Sequence, residues 1–169
     1  MSWDAYVELC LMQKESPSGT LNNCCESAAI LSAATADIWA ATTNFELLMD
    51  STDVPSSDYT HTDRFIVNEA ESLLYAIRHS GTAPSRAGLY LRGERYMVVR
   101  FDEETATMYL KKKNGGACVC LTNVTIVVGT YDSKIKVATP GGEASFPQNA
   151  GLTNERVERL ATFLRNTGF

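Results

Sequence analysis

At 169 residues the chain is long enough for one domain with a proper hydrophobic core and too short for two comfortable ones. Apolar residues make up 44% and charged residues 21%, an ordinary globular balance that argues against wholesale disorder. A net charge of -5 and a pI near 5.0 argue against general nucleic-acid binding, which needs a basic face to neutralise phosphates.

The N-terminus, Met1-Ser2-Trp3-Asp4-Ala5-Tyr6, lacks the basic start and apolar run of a signal peptide. Residues 2–13 read as a helix: Ser2 caps it, Asp4 suits its positive end, and Val7, Cys10 and Leu11 supply an apolar stripe. Residues 14–26, with Ser16-Pro17-Ser18-Gly19 and Asn22-Asn23, read as a loop. Residues 28–32 and 37–41 read as two short buried strands turning through Ala34-Thr35-Ala36. The polar stretch 49–63, which holds Pro55, reads as a mobile surface loop. Residues 68–79 carry Ala70, Leu73, Leu74 and Ile77 at helical spacing, and Gly81 and Pro84 stop that helix.

From Ala87 the period changes to two. Residues 89–91, 95–101 and 107–112 read as consecutive strands, and Lys113-Asn114-Gly115-Gly116 is a strong hairpin turn. Residues 117–122 and 125–131 continue the meander. A second long loop, 132–150, holds Pro140-Gly141-Gly142 and Pro147, and a helix over 154–166 closes the chain. The pattern predicts a single α+β domain with helices packed on an antiparallel sheet.

No apolar stretch reaches the length of a membrane span. The five cysteines, Cys10, Cys24, Cys25, Cys118 and Cys120, are odd in number and form no C-x-x-C. Neither a secreted disulfide framework nor a zinc knuckle fits that spacing, so reducing cytosol is the expected compartment and the Asn123-Val124-Thr125 sequon is plain strand sequence. The chain has two histidines, His61 and His79, and no phosphate-binding glycine loop, G-x-S-x-G elbow or H-E-x-x-H. Cys118 and Cys120 share one face of a strand, a packing arrangement more often than a metal site. No catalytic residue, metal or cofactor is expected, and the sequence favours a binding protein over an enzyme.

The last helix is the most informative segment. Val157, Leu160, Ala161 and Leu164 follow i, i+3, i+4, i+7 and form its core stripe. Phe163 lies on the flank of that stripe, roughly 60° from Leu160 at about 100° per residue, and is expected to be partly exposed. Phe169 follows Gly168. At the other end, Trp3 and Tyr6 stand one helical turn apart. Packed side by side, the two terminal helices would join Trp3, Tyr6, Phe163 and Phe169 into one aromatic surface, the kind on which proline-rich peptides in a polyproline II helix dock.

Met1-Ser2-Trp3-x-Ala5-Tyr6-Val7, Asp37-Ile38-Trp39-Ala40-Ala41 and Ala87-Gly88-Leu89-Tyr90-Leu91-x-Gly93-x-Arg95-Tyr96-Met97-Val98-Val99-Arg100 together resemble the profilin family. So do Lys112-x-x-Gly115-Gly116-Ala117 and Val157-Glu158-Arg159-Leu160-Ala161-x-x-Leu164, in the same order along most of the chain. Two stretches, about residues 42–66 and 132–150, exceed a typical profilin and resemble the lengthened loops of protist members. The resemblance implies a central antiparallel sheet with the N- and C-terminal helices side by side on one face and the remaining helix on the other.

The same resemblance implies a proline-rich peptide site at Trp3, Tyr6, Trp39, Phe163, Leu164 and Phe169. Phe163 stands where relatives often have Tyr or His, and Phe169 where they usually have Tyr. It further implies a site for monomeric actin at Arg86, Arg95, Met97, Arg100, Lys112, Val119, Leu121, Gly151, Asn154, Glu155 and Arg159, bordered by loop 132–150. Glu155 replaces a basic residue of some relatives. Lys111, Lys112 and Lys113 are the implied contact for phosphoinositide headgroups, although three lysines beside a turn are more often a solubilising tip. The expected protein is a cytoplasmic, cytoskeleton-associated monomer that binds actin and proline-rich segments such as those of formins, and promotes nucleotide exchange on actin. The competing readings are a scaffold or trafficking adaptor of similar α/β shape that does not bind actin, and a small hydrolase.

Overall fold

The computed structural model describes residues 1–142 and 144–169. The chain opens with a short helix, α1 (Trp3–Tyr6), which widens into a π-helical turn over Val7–Leu11. The Ser2 hydroxyl caps it by accepting from the Ala5 amide at 3.1 Å, satisfying one of the orphan donors of the first turn. Val7 and Leu11 are buried, so the wider turn keeps the apolar stripe against the sheet.

Residues 14–26, expected as a loop, contain a tight hairpin of β1 (Lys14–Ser16) and β2 (Gly19–Leu21). Next come β3 (Ser27–Ser32), buried along its whole length, and β4 (Ile38–Ala41). The expected surface loop over 49–63 is corrected in the same way. Strand β5 (Met49–Pro55) pairs with β6 (Thr62–Asn68) in an unbroken register from Met49↔Asn68 to Pro55↔Thr62. This hairpin forms a sheet of its own and is mostly exposed, so no face of it needed an apolar alternation that the sequence would have displayed.

Helix α2 (Glu69–Arg78) follows, with Asn68 capping it by accepting from the Glu71 amide at 3.2 Å. The buried Glu69 carboxylate accepts from the Leu48 amide at 3.1 Å and from the Gly93 amide at 2.8 Å. It thereby ties the base of the β5–β6 hairpin and the turn after β7 (Leu89–Leu91) to the start of α2. The meander continues through β8 (Glu94–Asp102), β9 (Thr107–Lys112), β10 (Gly115–Leu121) and β11 (Thr125–Asp132). The expected loop 132–150 contains two short paired strands, β12 (Lys136–Val137) and β13 (Phe146–Pro147). Helix α3 (Ala150–Asn166) then starts earlier than the expected 154, because Asn149 rather than a later residue caps it, accepting from the Leu152 amide at 2.9 Å. No helix among the described residues is long and apolar enough to cross a membrane.

The main sheet has seven antiparallel strands in the order β4-β3-β11-β10-β9-β8-β7. Alternation along β10 separates two cores. Ala117 and Val119 pack with Leu73, Ala76 and Ile77 of α2, whereas Cys118 and Cys120 pack with Val157, Leu160, Ala161 and Leu164 of α3 and with Val7 and Leu11. The two terminal helices therefore share one face and α2 covers the other, as expected.

Close approach of α3 rests on Gly129 in β11. A Cβ there would meet Val157 Cγ2 at 2.8 Å, and Cys25 Sγ and Thr153 Cγ2 at 3.3 Å. Replacing it (Gly129→Ala) is expected to push α3 off the sheet and to destabilise the protein by about 1–3 kcal/mol in urea unfolding.

The cysteines are all free, and all but Cys10 are buried. Burial pushes the Cys24 thiol from 9.0 to about 11, the Cys25 thiol to about 12 and the Tyr96 hydroxyl from 10.0 to about 12. The native state thus keeps protons that the unfolded chain releases above pH 9, so stability holds level up to that pH and falls as pH rises toward 12. Urea midpoints measured from pH 7 to 11 should trace that decline, and it should be shallower in Cys25→Ala, which removes one of the responsible groups.

Candidate functional site

Four aromatic pairs converge at the outer end of the terminal helices. Trp3 lies 5.8 Å from Tyr6, 5.3 Å from Trp39 and 5.5 Å from Phe169 between ring centroids, and Tyr6 lies 5.9 Å from Phe163. Trp3 and Tyr6 are half-buried, whereas Trp39, Phe163 and Phe169 remain 42%, 47% and 43% exposed. The tilted and edge-on arrangements are those that aromatic quadrupoles favour. The result is a continuous apolar surface with open ring faces.

Each ring is aimed by a specific piece of backbone. Helical spacing places Trp3 beside Tyr6. In β4, the pairing runs Ile30↔Ala40 and then Leu31↔Ile38, which leaves Trp39 as the unpaired residue of a β-bulge. The bulge turns both Ile38 and Trp39 outward, where regular alternation would expose one. Phe169 is set by the end of α3. Gly168 adopts φ +96, its amide donates to the Arg165 carbonyl at 3.2 Å, and the Phe169 amide reaches the Leu164 carbonyl at 2.8 Å. That is a Schellman closure, which needs glycine at the left-handed position. The Phe169 main-chain oxygen then accepts from the Val124 amide at 2.8 Å and the Thr122 hydroxyl at 2.9 Å, so the last ring is held against the sheet instead of fraying.

Two hollows flank the rings. One, of about 770 Å³, is lined by Trp3, Ile38, Trp39, Val124 and Phe169. The other, of about 370 Å³, lies between α1 with its π turn and α3 and includes Tyr6, Leu9, Cys10, Leu160 and Phe163. Ile38, Val124 and Leu9 were not expected here; Ile38 adjoins Trp39 in sequence, but the bulge that exposes both leaves no mark in composition. Leu164 is corrected: its side chain is wholly buried in the core beneath the rings and cannot touch a ligand.

A second surface lies on the other flank of α3. Arg100 of β8 places its guanidinium 4.4 Å above the Tyr109 ring of β9, and the Tyr109 hydroxyl donates to the Glu158 carboxylate of α3. Burial, reinforced by that bond to Glu158, pushes the Tyr109 hydroxyl from 10.0 to about 12. Val99, Gly151, Asn154 and Glu155 complete this hollow. Val99 is the unpaired residue of a second bulge, between Val98↔Leu110 and Arg100↔Tyr109, and is 56% exposed. Along the same strands Met97 pairs with Lys111, and Arg95, Met97, Lys111 and Lys113 rim a further hollow of about 480 Å³. Glu155 is engaged by Lys14 at 2.6 Å and by Arg156 at 3.2 Å, so its charge is balanced from within the chain.

Of the residues expected on this second surface, Arg95, Met97, Arg100, Gly151, Asn154 and Glu155 lie there, Lys112 reaches only the edge of the hollow of about 480 Å³, and four do not. Val119 is fully buried and Leu121 half-buried in the core against α2, on the opposite side of the sheet from α3. Lys112 folds inward over the Tyr96 ring at 5.4 Å and binds Glu26 at 3.4 Å and also Glu94, with its side chain only 9% exposed. The lysine tip therefore offers Lys111 and Lys113 outward and keeps Lys112 in an ion-pair network. Arg86 donates to the Pro55 carbonyl and to Asp63 and lies 5.2 Å over the Phe65 ring, latching the β5–β6 hairpin. Arg159 lines the hollow beside Tyr6 and Phe163, one position round the helix from Glu158. Tyr109 and Glu158 were missed; the alternation of β9, which sets Tyr109 and Lys111 on one face, carried the available signal.

Among the described residues no group of His, Cys, Asp and Glu could hold a metal ion. His79 stacks on the Tyr75 ring at 3.8 Å and bonds the Tyr75 carbonyl, and His61 sits in the hairpin tip 3.3 Å from Asp63.

Comparison with known proteins is consistent along the whole chain. The family model described as Profilin matches residues 1–169. A profilin of Tetrahymena pyriformis is 29% identical over 168 residues, which is 99% of this chain and 98% of that protein. Profilin-3 of Dictyostelium discoideum is 27% identical over 169 residues, covering 100% of both. Among solved structures, Acanthamoeba castellanii profilin IB is similar in fold, with a TM-score of 0.65 and 24% identity over 99% of this chain and 100% of that one.

Proposed function

The chain belongs to the profilin family, a family of non-enzymatic actin-binding proteins, and on that footing we propose that it carries proline-rich segments and monomeric actin on the two flanks of α3. In this reading it is a cytoplasmic, cytoskeleton-associated monomer that takes proline-rich stretches such as those of formins. It binds actin monomers at the same time and promotes their nucleotide exchange.

The observation that carries the proposal is the aromatic platform, in which four separate parts of the chain bring Trp3, Tyr6, Trp39, Phe163 and Phe169 together, neighbouring rings lying 5.3–5.9 Å apart. A rigid ring surface suits a polyproline II helix, whose ordering entropy is already low and whose pyrrolidine faces pack on aromatic planes. With Phe at 163 and 169, Tyr6 and the two indoles supply the polar groups at the rings. The proposed actin surface is Arg95, Met97, Val99, Arg100, Tyr109, Gly151, Asn154, Glu155 and Glu158. Its exposed Met97 and Val99 provide apolar contact area, and the Arg100–Tyr109–Glu158 chain of contacts holds the charged groups in place.

Two experiments test the two surfaces separately. Trp39→Ala and Trp3→Ala should each lose retention on immobilised polyproline, with a loss of about 2 kcal/mol, or roughly thirtyfold in affinity, as for a central aromatic contact. Arg100→Glu should be retained normally. In a pyrene-actin assay the wild type and Trp39→Ala should slow spontaneous polymerisation alike, whereas Arg100→Glu should lose about tenfold in apparent affinity for the monomer. Polyproline retention with no effect on actin by any form would instead identify a non-actin adaptor.

A further inference from the structure

Beyond the Tyr6–Phe163 pair the ring surface does not end. It runs into the groove of about 370 Å³ between the π turn and α3, which is floored by Leu160 and walled by Leu9 and Cys10. The far rim of that groove carries Arg156, Arg159 and Glu15. Arg156 is largely buried and already engaged, donating to the Gln13 carbonyl at 3.3 Å and to Glu155 at 3.2 Å. Glu15 accepts from the Thr20 hydroxyl at 2.9 Å. Arg159 differs from both: it is exposed and, among the described residues, makes no hydrogen bond or ion pair. Both guanidiniums lie close enough to Cys10 to offset part of the upward push that burial exerts on its thiol. This occurs in a chain of net charge -5.

We propose that this groove receives the acidic flank of a proline-rich ligand, with Arg159 pairing a ligand carboxylate where the peptide leaves the Tyr6–Phe163 edge of the aromatic platform. The inference rests on the platform reading and adds ligand selectivity to it. Three features select this occupant. The groove is continuous with the platform through rings it shares with it, Tyr6 and Phe163. It is apolar along its floor and carries two arginines against one glutamate at its rim, matching a chain that passes from proline to aspartate or glutamate. A polyproline II helix advances about 3.1 Å per residue, so a few residues beyond the rings reach the rim. The Arg159 guanidinium, which makes no ion pair among the described residues, offers a planar two-pronged donor to an incoming carboxylate, while Glu15 on the same rim is held by the Thr20 hydroxyl.

The test uses the full chain and five peptides in calorimetric titration at low salt: decaproline, and decaproline with three aspartates or three lysines added at either its N- or its C-terminal end. One of the two aspartate peptides is expected to bind about two- to fivefold more tightly than decaproline, and its lysine counterpart more weakly, in line with a partly exposed ion pair. That preference should shrink as salt is raised, because such a pair is screened over about 10 Å at 0.1 M. Arg159→Ala should remove the preference while leaving decaproline affinity unchanged, and Arg159→Lys should keep most of it. Equal binding of aspartate and lysine peptides by the wild type would overturn the inference, as would an aspartate preference that survives in Arg159→Ala. Failure of every peptide to bind would overturn the platform reading and this inference together, whereas normal decaproline binding without charge preference would overturn this inference alone.

Discussion

The seating of α3 on the central sheet is the constraint from which the rest of the molecule follows. Gly129 removes the side chain that would stand between β11 and the Val157 and Thr153 turn of the helix, and Val157, Leu160, Ala161 and Leu164 then close against Cys118, Cys120 and Val127. Buried apolar contact of this kind is worth about 1.5–3 kcal/mol per large side chain, far more than any exposed ion pair nearby. Once the stripe is fixed, both flanks of the helix are fixed with it. Glu158 and Asn154 face the bulged end of β8, and Arg159 and Phe163 face α1. A single buried stripe thus sets the separation between two surfaces lined by different residues.

Irregular backbone does the aiming. A bulge at Trp39, a bulge at Val99, a π turn after Tyr6 and a left-handed glycine at 168 each interrupt an otherwise regular element, and each lies beside one of the two surfaces. Regular strands and helices alternate or rotate their side chains on a fixed schedule, which buries half of what they carry. Exposing two neighbouring apolar side chains, such as Ile38 and Trp39, requires breaking that schedule. The hydrogen bonds around each break, such as those holding the Phe169 oxygen, keep the broken segment rigid.

The elements with strong periodicity are legible in the sequence: α2, the β8 to β11 meander and the core stripe of α3, together with the outward position of Phe163. The adjacency of the four terminal aromatics followed once the helices were placed side by side. Hairpins that bury little were not legible. The β5–β6 pair is held by main-chain register, by Glu69 at its base and by Arg86 at its tip, and none of these leaves an apolar pattern in the sequence. Side-chain direction was the other blind spot. Lys112 and Val119 stand in strands that border the second surface, but strand parity turns them toward α2. Arg159 is a neighbour of Glu158 in sequence and faces the opposite groove, since adjacent helical residues diverge by about 100°.

The chain contains two tryptophans, Trp3 and Trp39, and their ring centroids are 5.3 Å apart within the aromatic platform. Indole emission excited at the red edge of the absorption band therefore originates from that patch alone, with no background from elsewhere in the fold. At such a spacing the two transition dipoles couple, and the near-ultraviolet circular dichroism of the pair depends on their 44° interplanar angle. The molecule consequently carries its own label-free optical reporter, sensitive to whatever covers or reorients the indoles and silent to events on the far flank of α3.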